Sequence, residues 1–165
     1  MNQSLVDSTV SLVSNYPIAD VLPHSAPMIL LDELVSYDDE NVSCRVTITP
    51  DLPFFDHAKQ GVPSYVGCEY MAQTIAAYGG AHALDDAGDV KIGFLLGSRK
   101  YHAEVGVFKV GKTLLIEAKK LIQDESGLCV FDCVIKDEEN AVLAQAKINV
   151  FQPQDPAQFL KDNHE

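Results

Sequence analysis

The sequence predicts an α+β fold in which a curved antiparallel sheet wraps one long buried helix. Three observations carry this. Residues 62–84 are rich in Ala, Met, Tyr and Ile and have the length of a helix, yet they show no polar stripe; between Lys59 and Asp85 the one formally charged residue is Glu69. A helix apolar on nearly every face has to be enclosed. Val42, Cys44, Val46 and Ile48 alternate with Ser43, Arg45, Thr47 and Thr49, the period of two that marks a half-buried strand. The last strand-like runs are joined by Asp124-Glu-Ser-Gly127 and Asp137-Glu-Glu-Asn140, short links suited to antiparallel neighbours. A sheet curled around its one helix buries both apolar surfaces at once.

Taken in order, residues 1–16 are polar with scattered Leu and Val and define no element. Pro17 to Leu22 reads as one helical turn or two. Met28 to Tyr37 is apolar and breaks at Asp38-Asp-Glu-Asn41, which makes it the first arm of a hairpin with 42–49. A loop over 50–61 leads into the helix, where Pro63 suits a first turn and Gly79-Gly80 a weakened end. Strands are expected over 90–98, 112–123, 127–136 and 141–151. The tail from Gln152 is polar and expected to fray. The whole chain, 1–165, reads as one domain with its core at about 17–151.

Composition narrows the function. A chain of 165 residues buries roughly 70% of its unfolded surface and needs no staple. A net charge of −12 argues against broad nucleic-acid or anionic-membrane binding. No run is long and apolar enough to span a membrane, and Met1 to Ser14 lacks the pattern of a signal peptide. Cys44, Cys68, Cys129 and Cys133 form no CxxC pair and have no histidine at zinc spacing, so neither metal nor cofactor is expected. Cys129 and Cys133, four residues apart on a strand, stand roughly 13 Å apart, too far for a disulfide. All four read as small buried hydrophobes of a cytoplasmic protein.

Glu69 is the residue that needs an explanation. A carboxylate inside an apolar helix is tolerated when paired or hydrogen-bonded. In the second turn from Pro63 it lies near the positive end of the helix dipole and suits general acid or base work. Alternatively it reaches the surface at the helix edge, or pairs with a lysine across a dimer. His57, in the preceding loop, is either the second half of an acid–base pair or an exposed loop histidine beside Asp56. His24, between Pro23 and Ser25, reads as a backbone-bonding residue. His82 suits the helix end and is given no role, and His102 and His164 carry no signal. Tyr65, Tyr70 and Tyr78 are expected in the core or at a dimer contact.

Four stretches carry a family resemblance: Leu22-Pro-His-Ser-Ala-Pro-Met-Ile-Leu-Leu-Asp32, Val62-Pro-Ser-Tyr-Val-Gly-Cys-Glu-Tyr-Met-Ala-Gln73, Gly93-Phe-Leu-Leu-Gly97 and Val107-Phe-Lys-Val-Gly-Lys-Thr113. The chain resembles the beta-hydroxyacyl-acyl carrier protein dehydratases of the hotdog superfamily, and the Glu-Tyr-Met-Ala-Gln wording is most similar to accessory dehydratase-like proteins of aryl-polyene pathways. The resemblance implies a hotdog fold, a homodimer or a heterodimer with a related dehydratase, and a site at its interface. There a His of one chain takes the proton next to the thioester carbonyl and Glu69 of the other protonates the departing 3-hydroxyl. It implies that His24, Val66, Gly67, Phe94 and Gly97 contact substrate, with backbone N–H groups around Val66 and Gly67 holding the thioester oxygen. The chain departs from the family at Asp56-His-Ala-Lys-Gln-Gly61, where a Gly-His-Phe-Pro segment is usual, and His57 lies two residues closer to Glu69 than is usual. Ser25 replaces the Arg that follows the first histidine. These departures admit a half-site partner subunit as the alternative to an active dehydratase, with a hotdog thioesterase as the third reading.

The negative charge is uneven. From Lys91 to Lys120 seven basic residues face two acidic ones, a local +5 within a chain whose remainder carries −17. Arg99, Lys100, Lys109 and Lys112 are either ordinary solvated charges or the dock for an acidic acyl carrier protein.

Overall fold

The computed structural model describes the backbone of residues 12–13, 16–90 and 94–152, and the side chains of 16–90 and 97–152. In chain order the elements are β1 (Leu12–Val13), α1 (Ile18–Val21), β2 (Glu33–Tyr37), β3 (Asn41–Thr47), β4 (Gly61–Pro63), a 3-10 turn (Ser64–Val66), α2 (Gly67–Asp85), β5 (Phe94–Ala103), β6 (Val107–Lys109), β7 (Thr113–Gln123), β8 (Leu128–Lys136) and β9 (Val142–Phe151). Seven strands form an antiparallel sheet in the order β1-β2-β3-β7-β8-β9-β5, and β4 pairs with β6 in a small second sheet.

The alternation that starts at Val42 sets the two faces of the large sheet. Val42, Cys44 and Val46 pair with Ala118, Ile116 and Leu114 of β7, and Ile116 and Ala118 pair in turn with Ile135 and Cys133 of β8. All of these are buried against the helix side. Lys119, Asp132, Gln145 and Lys147, at alternate positions, stand exposed on the outer face. α2 lies across the inner face and buries Tyr70, Met71, Thr74, Ile75, Ala77 and Ala81. Its opposite stripe, Cys68, Glu69, Ala72, Ala76 and Gly79, is half-buried. This is the hotdog arrangement. Among the described residues no helix is long and apolar enough to cross a membrane.

Several boundaries differ from the sequence reading, each for a local reason. Met28 to Leu31 is not strand, because amides there are bonded elsewhere, Met28 N–H to Ser25 and Leu30 N–H to the Gln73 side chain; bonding to β3 begins where Asp32 N–H meets the Arg45 carbonyl. Residues 62–66 do not open the helix. Val62 and Pro63 pair with Phe108 and Val107 of β6, and the chain then tightens into the 3-10 turn. Strands of three residues such as β4 and β6 are too short to register as a periodicity. The strand expected over 90–98 is shifted to Phe94–Ala103 and carries irregularities at Leu95/Gly97 and Arg99/His102. Tyr65 is 72% exposed, not core. Gly79-Gly80 does not weaken the helix, which continues to Asp85. The tail beyond Gln152 lies outside the described residues.

The far end of α2 is tied to the sheet by hydroxyl groups. Tyr16 and Tyr37 donate to the two oxygens of Asp85 at 2.6 and 2.7 Å, and Tyr78 and His82 donate to the carbonyls of Asp39 and Asp38 at 2.6 and 2.9 Å. The Tyr16 hydroxyl, and then that of Tyr37, hold the Asp85 carboxyl below its ordinary value of 3.8. A depressed folded-state value stabilises the protein above the unfolded value and is lost as pH falls through the folded one. The melting temperature of Asp85→Asn should therefore lie below that of the parent at neutral pH, and the gap should close as pH drops below about 3.8. Thermal unfolding across that range tests this; a gap that stays constant into strong acid would refute it.

Candidate active site

The site begins at the join between β4 and α2. Pro63 ends β4 in an extended conformation, the 3-10 turn follows, and Gly67 opens α2. Glu69 thus falls in the first turn of α2, not the second, next to the positive end of its dipole. The start is tightly packed. The N–H of Gly67 donates to the carbonyl of Ser64, which also accepts the Tyr101 hydroxyl. A Cβ on Gly67 would lie 2.4 Å from the Tyr101 oxygen, which leaves glycine the residue that fits. Of the two amides expected to hold a thioester oxygen, that of Gly67 is already engaged.

Glu69 faces a cavity of about 250 Å³ that runs along the half-buried stripe of α2. Ala72, Ile75, Ala76 and Gly79 line it from the helix, and Cys129, Phe131 and Val150 from β8 and β9. His24 lines the same cavity, brought in by the segment between α1 and β2. Its Nδ1 is buried and meets no hydrogen-bond partner among the described residues. A carboxyl group and an imidazole therefore line one cavity within a single chain.

His57 lies elsewhere. Asp56 and Gly61 exchange backbone hydrogen bonds at 2.7 and 3.3 Å, and the Asp56 carboxylate accepts the amides of Ala58 and Lys59 at 2.9 and 3.1 Å. This closes a tight turn that leaves His57 exposed, edge-on to Phe55 with ring centroids 4.9 Å apart. His57 does not line the cavity of its own chain, and neither do Val66, Gly67 or Gly97. Phe94 starts β5, and its side chain lies outside the described residues. His102 pairs with Glu104 at 3.0 Å on the surface, and His164 lies outside the described residues. The cysteines divide. Cys44 and Cys133 are buried, whereas Cys68 and Cys129 are half-buried, with Cys129 in the cavity wall. Burial pushes the Cys44 thiol up to about 12 and raises those of Cys129 and Cys133, so these three are poor nucleophiles.

Gln73 is a residue whose role sequence reasoning missed. It is fully buried, one turn after Glu69. Its Oε1 accepts the N–H of Leu30 at 2.9 Å, and its Nε2 donates to the carbonyl of Met28 at 2.7 Å and reaches Glu69 Oε1 at 3.4 Å. One amide thus clips the segment that follows His24 onto the helix that carries Glu69. The available signal was a long polar side chain in an apolar helix, which has to be satisfied somewhere. Gln73→Leu leaves the buried N–H of Leu30 and the partly buried carbonyl of Met28 without this partner and should cost about 2 kcal/mol. Thermal unfolding measures this, and a melting temperature equal to that of the parent would overturn the assignment.

Solved structures place the architecture in the hotdog class. The protein from the dehydratase heterocomplex ApeI:P of Xenorhabdus doucetiae superposes with a TM-score of 0.84 and 29% identity, covering 92% of this chain and 100% of that one. More distant are the E. coli PaaI protein of the phenylacetic acid degradation operon (TM-score 0.57, 14% identity, 72% of this chain and 81% of that) and a hypothetical thioesterase protein of Streptococcus pneumoniae with coenzyme A (0.53, 15%, 73% and 86%); these share the fold alone. No curated protein sequence matches the chain. The model of the ApeP-like family, described as ApeP dehydratase, matches residues 16–161. The chain belongs to that family of dehydratases and is a dehydratase-like lyase in class.

Proposed function

We propose that this chain serves a dehydratase of an aryl-polyene type pathway, which converts a 3-hydroxyacyl thioester to the trans-2-enoyl thioester and water. The observation that carries the proposal is that Glu69 and His24 line the same cavity along α2. The acyl chain lies along Ala72, Ala76 and Gly79, whose small side chains leave it room. A neutral imidazole takes the proton from the carbon beside the thioester carbonyl, the electron pair forms the new double bond, the C3–O bond breaks, and Glu69 gives its proton to the departing hydroxyl. The imidazolium and carboxylate then exchange protons with solvent, and the site is restored.

The base is His24 of the same chain or a histidine of a partner. Two features favour a partner, a related dehydratase in a heterodimer. Among the described residues β5, ten residues long, is hydrogen-bonded to the sheet on one side only, the condition in which a strand edge accepts a second chain. Met28, Phe54 and Tyr65 are large apolar side chains left 49%, 53% and 72% exposed. Acyl groups arrive on an acyl carrier protein, and the reading places the protein in the cytoplasm.

Histidine substitution in the active assembly separates the two bases. Enoyl-thioester hydration is measured for the full chain alone and mixed with a related dehydratase. If His24 is the base, His24→Ala should lower kcat by about 10²-fold or more, and His57→Ala by far less. Loss confined to His57→Ala would assign the exposed histidine across the interface instead, and full activity of both variants in the mixed assembly would assign a histidine of the related dehydratase. Thioester cleavage without hydration would overturn the dehydratase reading.

A further inference from the structure

We propose that the outer face of the sheet around Arg99 and Lys147 is a docking surface for an acidic carrier protein; the inference rests on the carrier-dependent reading above. The strand register assembles this surface from residues distant in sequence. Lys119 of β7 is paired with Asp132 of β8, Asp132 with Lys147 of β9, and Lys147 with Arg99 of β5. All four are exposed.

Arg99 and Lys147 stand directly opposite each other, an arrangement of like charges that disfavours folding. Asp132, opposite Lys147 on the other side, offsets part of it, and the row keeps two more cations than anions. Among the described residues neither Arg99 nor Lys147 forms an ion pair, nor does Lys119. Asp132 is the one acid within the row, and two other acids nearby are committed, Glu117 to Lys136 at 3.3 Å and Glu104 to His102 at 3.0 Å. At the edge, the irregularity between Arg99 and His102 inserts Lys100, exposed and with φ +56°. Such bulges aim side chains out of a strand's regular pattern.

The size and position of the row match a carrier. Four adjacent strands span about 14 Å, slightly more than the width of one helix with its side chains, roughly 10–12 Å. An acidic helix laid across the row would meet Lys147 and Arg99 side by side, with Lys119 beyond Asp132. Gln123, Cys129 and Val150, which line the cavity, lie three or four residues away on the same strands, about 10–13 Å. The cavity lies on the opposite, inner face, so the acyl group of a carrier docked here would enter it around the ends of these strands.

Lys109 and Lys112, the other two basic candidates, occupy a different corner. Lys109 pairs with Gly61, and the Lys112 carbonyl accepts the N–H of Ile48. Lys59 adds a cation to the turn beside them, but Asp56 closes that turn and Glu138 accepts the N–H of Thr113, so the corner is mixed in charge.

The test measures binding of a 4′-phosphopantetheine-bearing acyl carrier protein at low ionic strength to the full chain, alone and with a related dehydratase. Arg99→Glu with Lys147→Glu should weaken binding about tenfold or more and flatten its salt dependence. It should also lower the ratio of activity on carrier-bound substrate to activity on an N-acetylcysteamine thioester by a similar factor. Arg99→Gln with Lys147→Gln gives the same direction should the reversal fail to fold. Carrier binding that is indifferent to positions 99 and 147, or that is lost instead in Lys109→Glu with Lys112→Glu, overturns the surface. If the unaltered protein binds no carrier in either assembly, the carrier reading fails and the surface with it.

Discussion

Glu69→Gln should lower kcat for hydration of an enoyl thioester by about 10³-fold, within the 10²–10⁴ range of a positioned general acid or base. The substitution keeps the shape of the side chain and one oxygen for the Gln73 amide, which sits 3.4 Å from Glu69 Oε1. What it removes is a proton that can be given to a departing hydroxyl, or taken back in the reverse direction. KM should therefore move little, because the apolar cavity wall from Ala72 to Gly79 is untouched. Glu69→Asp keeps the acid but withdraws it by about one bond length, roughly 1.5 Å, and should fall between the two. The measurement belongs in whichever assembly is active, the chain alone or the heterodimer. A loss of less than tenfold in Glu69→Gln would show that the carboxyl is not the proton donor.

The second large effect concerns stability. Gly80 is buried where α2 crosses α1, and a Cβ there would lie 1.8 Å from the carbonyl oxygen of Val21. The obstacle is backbone and cannot rotate away. Gly80→Ala must push α1 off the helix and disturb Val21 and Leu22, both core residues. The expected cost is about 3 kcal/mol, the upper end for overpacking, or a drop of about 6–12 °C in melting temperature for a domain of this size. Because the displaced α1 leads directly into the segment bearing His24, activity should fall as well. Gly79→Ala is the paired control: the nearest atom to its Cβ is Gln152 Oε1 at 4.0 Å, an ordinary contact. There the gain in helix propensity, up to about 1 kcal/mol, should leave the fold as stable or more so. Calorimetry of both variants decides the matter; equal melting temperatures would refute the close approach at Gly80.

These two predictions sit at different distances from the sequence. Glu69 was visible in it, because a single charge in a long apolar helix is a local anomaly that needs no partner to be noticed. The enclosing sheet was visible for the same kind of reason: the period of two in Val42–Thr47 and the turn residues at Asp124 and Asp137 are properties of consecutive positions. The need for glycine at position 80 was not visible. It depends on Val21, 59 residues earlier, and in the sequence Gly79-Gly80 looked like the end of a helix.

The same division runs through the site. The resemblance singled out Glu69 and a His57 reaching it from a second chain; within one chain the hydrogen bonds of the Asp56–Gly61 turn leave His57 exposed, off the cavity of its own chain. Instead Gln73 clips the 28–30 segment to α2, and the cavity receives His24. Lys147 lay outside the basic stretch that could be counted along the chain, and strand register alone sets it beside Arg99. The sequence by itself determined the class of fold, the buried helix and the carboxyl upon it, since each follows from the spacing of residues along one element. The tertiary structure decided which histidine shares the cavity, which glycine admits a neighbouring backbone and which cations meet, because each is a contact between segments that no local pattern encodes.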